Sequence, residues 1–316
     1  MTVSSRTVSP VKPRDRVCDL LAGHAVDRTP IGEIAVPDQV VQTLTGLRWD
    51  QPVPWAARRA VIERLGHDIV TISFADQPLD DALFWVRQWR TETDLFVVAL
   101  VPGLLASALA LWGEESLQDY WLHYPTQLFS LFAEAVLELQ HLTDQIAAAG
   151  ADVLMVEEPL ARREGLRWPI EALRQAYFPF LTLLARTAHR EGLRFFLRAT
   201  GAIAPILEDI ALAEIDGLQG LCVSDGISLA SVRDIVGSRF CLWGGVDAAW
   251  LSLPDVETWL AHQLRAWHSG PKGIPTILGT RDGLLSTLHL IEVERLDAIW
   301  AAVESMPRRL GTTRPG

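Results

Sequence analysis

The chain has few of the residues on which several protein classes depend. Its three cysteines, Cys18, Cys222 and Cys241, are odd in number and lack paired spacing. A disulfide framework or a CxxC metal site is therefore unsupported. Cys222 and Cys241 stand in apolar strand-like segments, so we expect buried, inert thiols there. The sequence also has no P-loop, nucleophile elbow, HExxH motif or EF-hand loop.

Positive charge is scarce as well. Lys12 and Lys272 are the only lysines among 316 residues, and the formal net charge is −11. A nucleic-acid-binding surface would need a basic stripe, so this balance argues against one while allowing an arginine-lined pocket. No run of about eighteen apolar residues could span a membrane, and the polar N-terminus lacks the apolar core of a signal peptide. We therefore expect a soluble, cytoplasmic protein.

The chain does have a regular alternation of strand-like and helical segments. Most of the strand-like segments are short apolar runs, as is typical of parallel strands that are buried on both faces. Eight such strands interleaved with helices predict an α/β fold, a closed (β/α)8 TIM barrel rather than an open doubly wound sheet. The predicted strands are residues 30–36, 68–74, 95–101, 152–156, 193–197, 217–223, 240–243 and 275–278.

Helical patterns separate these strands, and the longest insert lies between the third and fourth strands. Residues 1–13 are predicted to be a disordered lead, and residues 14–316 to form one barrel domain. The predicted helices are residues 14–21, 55–65, 103–111, 117–123, 125–149, 169–190, 229–236, 256–267 and 284–303.

Several of these segments, in this order, carry a resemblance to a known family. GADVLMV, YFPFL, AHREGL and the turn after FFL resemble the uroporphyrinogen decarboxylase family, which shares its fold with cobalamin- and thiol-dependent methyltransferases. RDRVCDLLAGHAVDRTPI and VVALVPGLLASALALWG upstream, and IDGLQGL, FCLWGGVDAAWL and GIPTILGTRDGL downstream, extend the similarity over roughly residues 14–302. The resemblance implies a barrel whose active site lies at the carboxyl ends of the strands. A homodimer is expected from the resemblance alone.

The resemblance also bears on metal binding. The methyltransferase branch generally has His-x-Cys at the end of the fifth strand and a further cysteine after the eighth, which together bind a thiol-activating zinc. Here Arg198 and Arg281 stand in those turns. Because a guanidinium stays protonated and has no lone pair to donate, it cannot ligate a metal. We therefore expect no metal and no cofactor in this chain.

The two arginines come from different strands, yet both are expected at the barrel mouth. A carboxylate or phosphate of a substrate could lie between them and accept bidentate hydrogen bonds. The competing interpretation is internal neutralisation by carboxylates that are also predicted at strand ends, and the sequence favours neither. Those carboxylates are Glu157, Glu158, Asp225, Asp247 and Asp282.

The decarboxylase branch typically has an arginine-rich loop after the first strand and an aspartate near the second strand for pyrrole nitrogens. This chain has no arginine between the first strand and Arg48, which argues against porphyrinogen binding. Asp76 is the nearest equivalent of the pyrrole-binding carboxylate. Glu33 lies inside the apolar first strand, where burial would raise its pKa and suit it to acid catalysis. It is expected in the pocket beside Arg198 or Arg281, either as that acid or in a structural ion pair.

These observations favour a metal-independent, decarboxylase-like lyase that acts on a small carboxylated molecule. The first alternative is a methyltransferase of the same superfamily that works with a corrinoid protein and lacks the usual zinc site. The second is a non-catalytic barrel that binds a metabolite or a protein. Glu33, Glu157 and Asp247 are the candidate acids and bases, although Asp247 is equally suited to cap a helix. The candidate substrate-binding residues are Asp76, Arg198, Thr200, Asp225 and Arg281.

Overall fold

A computed structural model describes residues 11–222, 225, 229–237, 240–249, 275–284 and 298. Seven strands form one parallel sheet in the order β1, β2, β3, β6, β7, β8, β9, and β4 and β5 form a separate antiparallel hairpin. The strands are Ile69–Ser73 (β1), Phe96–Pro102 (β2), Val153–Glu157 (β3), Ala161–Arg162 (β4), Gly165–Leu166 (β5), Arg194–Arg198 (β6), Gly217–Cys222 (β7), Cys241–Val246 (β8) and Thr276–Thr280 (β9).

Helices separate the strands of the sheet from β1 to β8, as the sequence pattern predicts. They are Pro13–Leu21 (α1), Asp38–Thr45 (α2), Trp55–Arg64 (α3), Leu79–Glu92 (α4), Leu104–His123 (α5), Pro125–Ala149 (α6), Ile170–Ala172 (α7), Phe178–Arg190 (α8), Leu207–Leu212 (α9) and Leu229–Val236 (α10). A π-helical turn, Leu173–Tyr177, joins α7 to α8. The predicted helix 256–267, nearly all of the predicted helix 284–303 and residues 1–10 of the predicted lead lie outside the described residues.

The first predicted strand, residues 30–36, forms only a bridge, although it closes the barrel. The amide of Gly32 donates to Leu278 of β9, and the amide of Asp68, next to β1, donates to the carbonyl of Ile31. The ladder stops there because the Gly32 carbonyl accepts the indole N–H of Trp243 at 2.9 Å. The Thr280 amide therefore donates to the carboxylate of Glu33 instead. The sequence predicts a regular strand over residues 30–36. The ladder ends early because the Gly32 carbonyl and the Thr280 amide bond to side chains instead of to each other.

Two layers of apolar side chains hold the barrel together. Alternate strand residues such as Phe96, Met155, Phe196 and Trp243 form a buried cluster inside the barrel. The intervening residues pack outward against the helices in a larger second cluster. This alternation explains the apolar runs in the sequence, because each strand is covered on both faces. The expected α/β barrel class is confirmed.

The predicted insert between the third and fourth strand positions is also confirmed, as helices α5 and α6. Two helices were predicted within α5, and the structure has one element with a non-helical break at Gly113, where φ is 76°. Only glycine adopts such a conformation without strain. No helix in the described part of the chain has both the length and the apolar character that crossing a membrane requires.

Candidate active site at the barrel mouth

Polar side chains meet at one level across the carboxyl ends of neighbouring strands. Glu157 ends β3 and pairs in register with Arg198, which ends β6, and Arg198 pairs in turn with Gln219 of β7. Glu157 and Arg198 have the same strand parity as Met155 and Phe196, whose side chains fill the barrel interior. The strands therefore direct these polar groups into the mouth above the apolar core.

Arg198 uses its whole guanidinium in contacts within the protein. Nε donates to Glu157 at 2.7 Å, and Nη2 donates to Asp282 at 3.2 Å. Nη1 donates to the side chain of Gln219 and, at 2.7 Å, to the backbone carbonyl of Arg281. Only 9% of the residue is exposed, so its charge is balanced by these groups rather than by water.

Arg281 lies beside Arg198 and is held by three carboxylates. It donates to Asp282 at 2.7 Å and to Asp225 at 2.9 Å, and its Nη2 lies 3.6 Å from Asp247. Burial alone would lower the pKa of Arg281, but Asp282, Asp225 and Asp247 outweigh it, and the pKa is raised. Arg281 is therefore a permanent cation whose charge is already neutralised.

The two arginines converge as predicted, but a group of the protein joins them. One carboxylate oxygen of Asp282 accepts from Arg198 and the other accepts from Arg281. Four carboxylates contact the two guanidinium groups, so the mouth cluster as a whole is negative; they are Glu157, Asp225, Asp247 and Asp282. Of the two interpretations that the sequence left open, internal neutralisation describes this geometry.

An open cavity of about 420 Å³ lies above the cluster, which is within the size range of small-molecule sites. Its lining includes Thr200, Asp225, Asp247, Arg281 and Asp282. Asp225 is only 7% exposed, and its Oδ2 has no hydrogen-bond partner among the described residues. Burial raises the pKa of Asp225, whereas the nearby Arg281 guanidinium and Gly201 amide oppose the rise.

The hairpin formed by β4 and β5 contributes Arg162 and Arg163 to the lining of the cavity. Glu114, next to the break in α5, accepts from Arg162 and, at 3.1 Å, from Arg167. On the other side, the Ala202 amide donates to the Arg162 carbonyl at 2.9 Å. The hairpin is therefore attached both to α5 and to the loop after β6.

Other residues singled out in the sequence lie elsewhere. Glu33 is 3% exposed and accepts from the Thr280 amide at 2.9 Å and from the Thr280 hydroxyl. Thr280 alternates with inward-facing neighbours, so the structure places Glu33 at the outer side of the strands and brings it to neither arginine. Asp76 lies exposed in the loop after β1 and accepts from Ser73 at 3.1 Å. Asp247 contacts Arg281 and also accepts a hydrogen bond from the Ala249 amide at 3.0 Å.

Glu158 turns away from the mouth, unlike its neighbour Glu157. Its carboxylate accepts from the amides of Leu104, Leu105 and Ala106 at the start of α5. Burial raises the pKa of Glu158 to about 8 against these three donors. Glu158 therefore anchors α5 to the end of β3 and is not one of the carboxylates that neutralise the arginines.

Sequence reasoning missed two parts of the site. Gln219 is fully buried and donates to the Arg281 carbonyl at 2.9 Å while accepting from Arg198. A polar residue inside the apolar strand IDGLQGL was the available signal. The hairpin had a weaker signal, the polar segment ARREG, which no strand pattern marks as part of a pocket wall.

The zinc site implied by the methyltransferase resemblance does not fit these residues. Arg198 and Arg281 occupy the turns where that branch has its ligands, and both are committed to ion pairs. Within the described ranges, no group of three or more His, Cys, Asp or Glu residues has an arrangement suited to a metal ion. No step that uses zinc is derived for this mouth.

We expect Arg198→Met to lower the free energy of unfolding by about 2 kcal/mol, because buried Gln219 and the bridging Asp282 lose their partner. The matched control is Arg194→Met at the other end of β6, where Arg194 is half-exposed in its ion pair with Asp216. That variant should change stability by less than about 1 kcal/mol. Urea denaturation measures both, and equal losses would contradict the structural role of Arg198.

The fold and mouth together define a (β/α)8 barrel with a highly charged carboxyl end that bears a cavity. No family model and no curated protein matches the chain. Among solved structures, a methyltransferase from Methanosarcina mazei has a TM-score of 0.75 at 18% identity, covering 92% of this chain and 99% of that one. A B12-independent methionine synthase from a Shewanella species has a TM-score of 0.47 at 15% identity, covering 70% and 65% respectively. At these identities the likeness concerns the fold alone.

Proposed function

We propose that the chain is an enzyme that transfers a methyl group to or from a small polar molecule bound in the mouth cavity. The observation that carries this is the neutralised arginine pair. Asp282 lies where the substrate carboxylate of a decarboxylase-like site was expected. The four carboxylates around the two arginines favour substrate groups that donate hydrogen bonds or carry positive charge, such as amines.

Asp225 is the residue best suited to move a proton in such a reaction. A nucleophilic amine or thiol must lose its proton before or as it takes a methyl group. Asp225 lines the cavity, its buried Oδ2 has no hydrogen-bond partner among the described residues, and the raised pKa of this carboxyl favours proton acceptance. Asp247 and Asp282 would hold the substrate, and Arg281 would keep those carboxylates in place.

The fold of the Methanosarcina mazei methyltransferase, which covers nearly the whole of this chain, supports methyl transfer over other reactions of this barrel class. A corrinoid protein would supply or receive the methyl group. A cytoplasmic location fits such an exchange. Decarboxylation stays the second candidate because Arg162 and Arg163 on the hairpin face the same cavity and could bind a substrate carboxylate.

The test incubates the purified chain with methylcobalamin, as a substitute for a corrinoid protein, and with panels of small amines, thiols and carboxylates. Enzyme-dependent loss of the methylcobalamin absorbance supports the proposal. Release of carbon dioxide from a carboxylate without methyl transfer would replace it with the decarboxylase. If neither reaction occurs with any panel member, the chain is a non-catalytic barrel and the proposal is wrong.

The matched variants are Asp225→Asn and Asp119→Asn. Removal of a general base at the cavity should lower kcat roughly 100-fold, whereas the exposed Asp119 on α5 should have no effect. A bell-shaped or sigmoidal pH profile that is lost in Asp225→Asn would identify this carboxyl as the titrating group. An unchanged kcat in Asp225→Asn would remove Asp225 from the mechanism.

A further inference from the structure

The mouth cavity is lined by charged side chains from two parts of the fold. Asp225, Asp247 and Asp282, with Arg281 bound among them, follow the barrel strands and form the acidic wall, whereas Arg162 and Arg163 belong to the hairpin and form the basic wall. A ligand that contacts both walls therefore meets carboxylates at one end and guanidinium groups at the other. This separation of charge concerns the residues that line the cavity and is distinct from the pairing of Arg198 and Arg281 through Asp282.

On the acidic wall, Asp225 has an acceptor that nothing in the described chain uses. Oδ1 accepts from Arg281 at 2.9 Å, but Oδ2 is buried without a hydrogen bond. The Gly201 amide lies near this carboxyl without meeting hydrogen-bond geometry. Because buried polar atoms are nearly always satisfied in folded proteins, an N–H group of a ligand is a natural donor for this oxygen.

On the basic wall, Arg163 differs from its neighbours. Arg162 and Arg167 are both bound by Glu114, whereas Arg163 has no ion pair with any residue that the structure describes. The hairpin that carries Arg163 is held by the contacts of Arg162 with Glu114 and with the Ala202 amide. Arg163 is therefore a cation held at the edge of the cavity and able to bind a ligand anion.

We propose that the cavity binds a small amino acid, with its ammonium group on Asp225 and Asp247 and its carboxylate on Arg163. The requirement of Asp225 Oδ2 for an N–H donor favours primary and secondary amines over quaternary ammonium compounds. The cavity volume of about 420 Å³ suits a molecule of this class. This inference rests on the proposed function, since it names the substrate class of the same cavity.

Binding is measured without turnover, by isothermal titration calorimetry of the full chain with glycine, β-alanine and γ-aminobutyrate. The best binder is then compared with the amine that lacks its carboxylate, the acid that lacks its amine and the trimethylammonium analogue. The amino acid should bind about tenfold more tightly than each of the three. Equal affinity for the amine or the acid, equal affinity for the trimethylated analogue, or no binding by any amino acid would overturn the inference.

Two variants assign the ends of the ligand. Arg163→Gln should weaken amino-acid binding about tenfold and leave binding of the matched amine unchanged. Asp225→Asn should weaken the amino acid and the amine together. Arg87→Gln, on the exposed face of α4, is the control for loss of one arginine and should change neither. Equal behaviour of Arg163→Gln and Arg87→Gln would contradict the assignment of the carboxylate.

The inference and the proposed function fail separately. Methyl transfer to an uncharged thiol or alcohol, with no binding of amino acids, would sustain the function and remove this substrate class. Amino-acid binding with the predicted variant pattern but without methyl transfer would sustain the site and remove the reaction. Unchanged melting temperatures of the variants show that the binding losses are local.

Discussion

Replacing Asp68 by alanine is expected to lower the free energy of unfolding by about 4 kcal/mol, because it removes a buried anion that contacts Arg16 and Arg28 and leaves the buried Ile31 amide without its acceptor. Asp68 is fully buried at the start of β1. It accepts from Arg16 of α1, from both Nη atoms of Arg28 at 2.7 Å and 2.9 Å, and from the Ile31 amide at 2.8 Å. One carboxylate thus joins three segments at the end of the barrel opposite the mouth.

The hydrogen bond from the Ile31 amide to Asp68 is a main reason for the large expected loss of stability. The segment around Ile31 has only a bridge to β9 and closes the gap between β9 and β1, so it depends on side-chain partners more than a full strand would. The control is Asp50→Ala, which breaks the exposed Arg48–Asp50 pair and should cost less than about 1 kcal/mol. Urea denaturation of both variants decides the matter, and similar losses would refute the closing role of Asp68.

Much of the fold could be predicted because the strands are covered on both faces. Residues 153–156 and 195–197 are uninterrupted apolar runs, each followed by a charged residue, and both strands end where the sequence predicts. The first strand could not be predicted in detail. Its ladder ends where Trp243, more than two hundred positions away, takes the Gly32 carbonyl, and no local pattern contains that contact.

The candidate site was predictable in its position but not in its bonding. Because Glu157 and Arg198 stand at the ends of predicted strands, the sequence predicts both at the mouth, and in the structure Arg198 Nε lies 2.7 Å from Glu157 Oε1. Which carboxylates bind the arginines depends on side-chain direction: consecutive residues Glu157 and Glu158 point to opposite sides, so only Glu157 joins the cluster. The role of Asp282 as a bridge depends on the approach of β6 and β9 across the barrel, which strand order alone does not specify.

Replacing Glu33 by glutamine is expected to make the protein more stable at alkaline pH and to remove a pH dependence of the wild type. Burial raises the pKa of Glu33 to about 7, against hydrogen bonds from the Thr280 hydroxyl and amide that lower it. A glutamine oxygen can accept the same two hydrogen bonds without carrying charge. The variant therefore keeps the contact that replaces the missing rung of the ladder.

The sign follows from proton binding. Between the ordinary glutamate pKa and about pH 7, the folded protein holds a proton on Glu33 that the unfolded chain releases, so wild-type stability falls as pH rises through this range. Above pH 7 both states are ionised and the loss is complete, at roughly 3 kcal/mol. Urea denaturation at pH 5 and pH 8.5 should show a small difference between wild type and Glu33→Gln at the lower pH and that full difference at the higher. The control is Glu115→Gln at an exposed position, which should follow the wild type at both pH values. If the stabilities of wild type and Glu33→Gln change in parallel with pH, Glu33 is ionised in the folded protein throughout this range and the prediction is wrong.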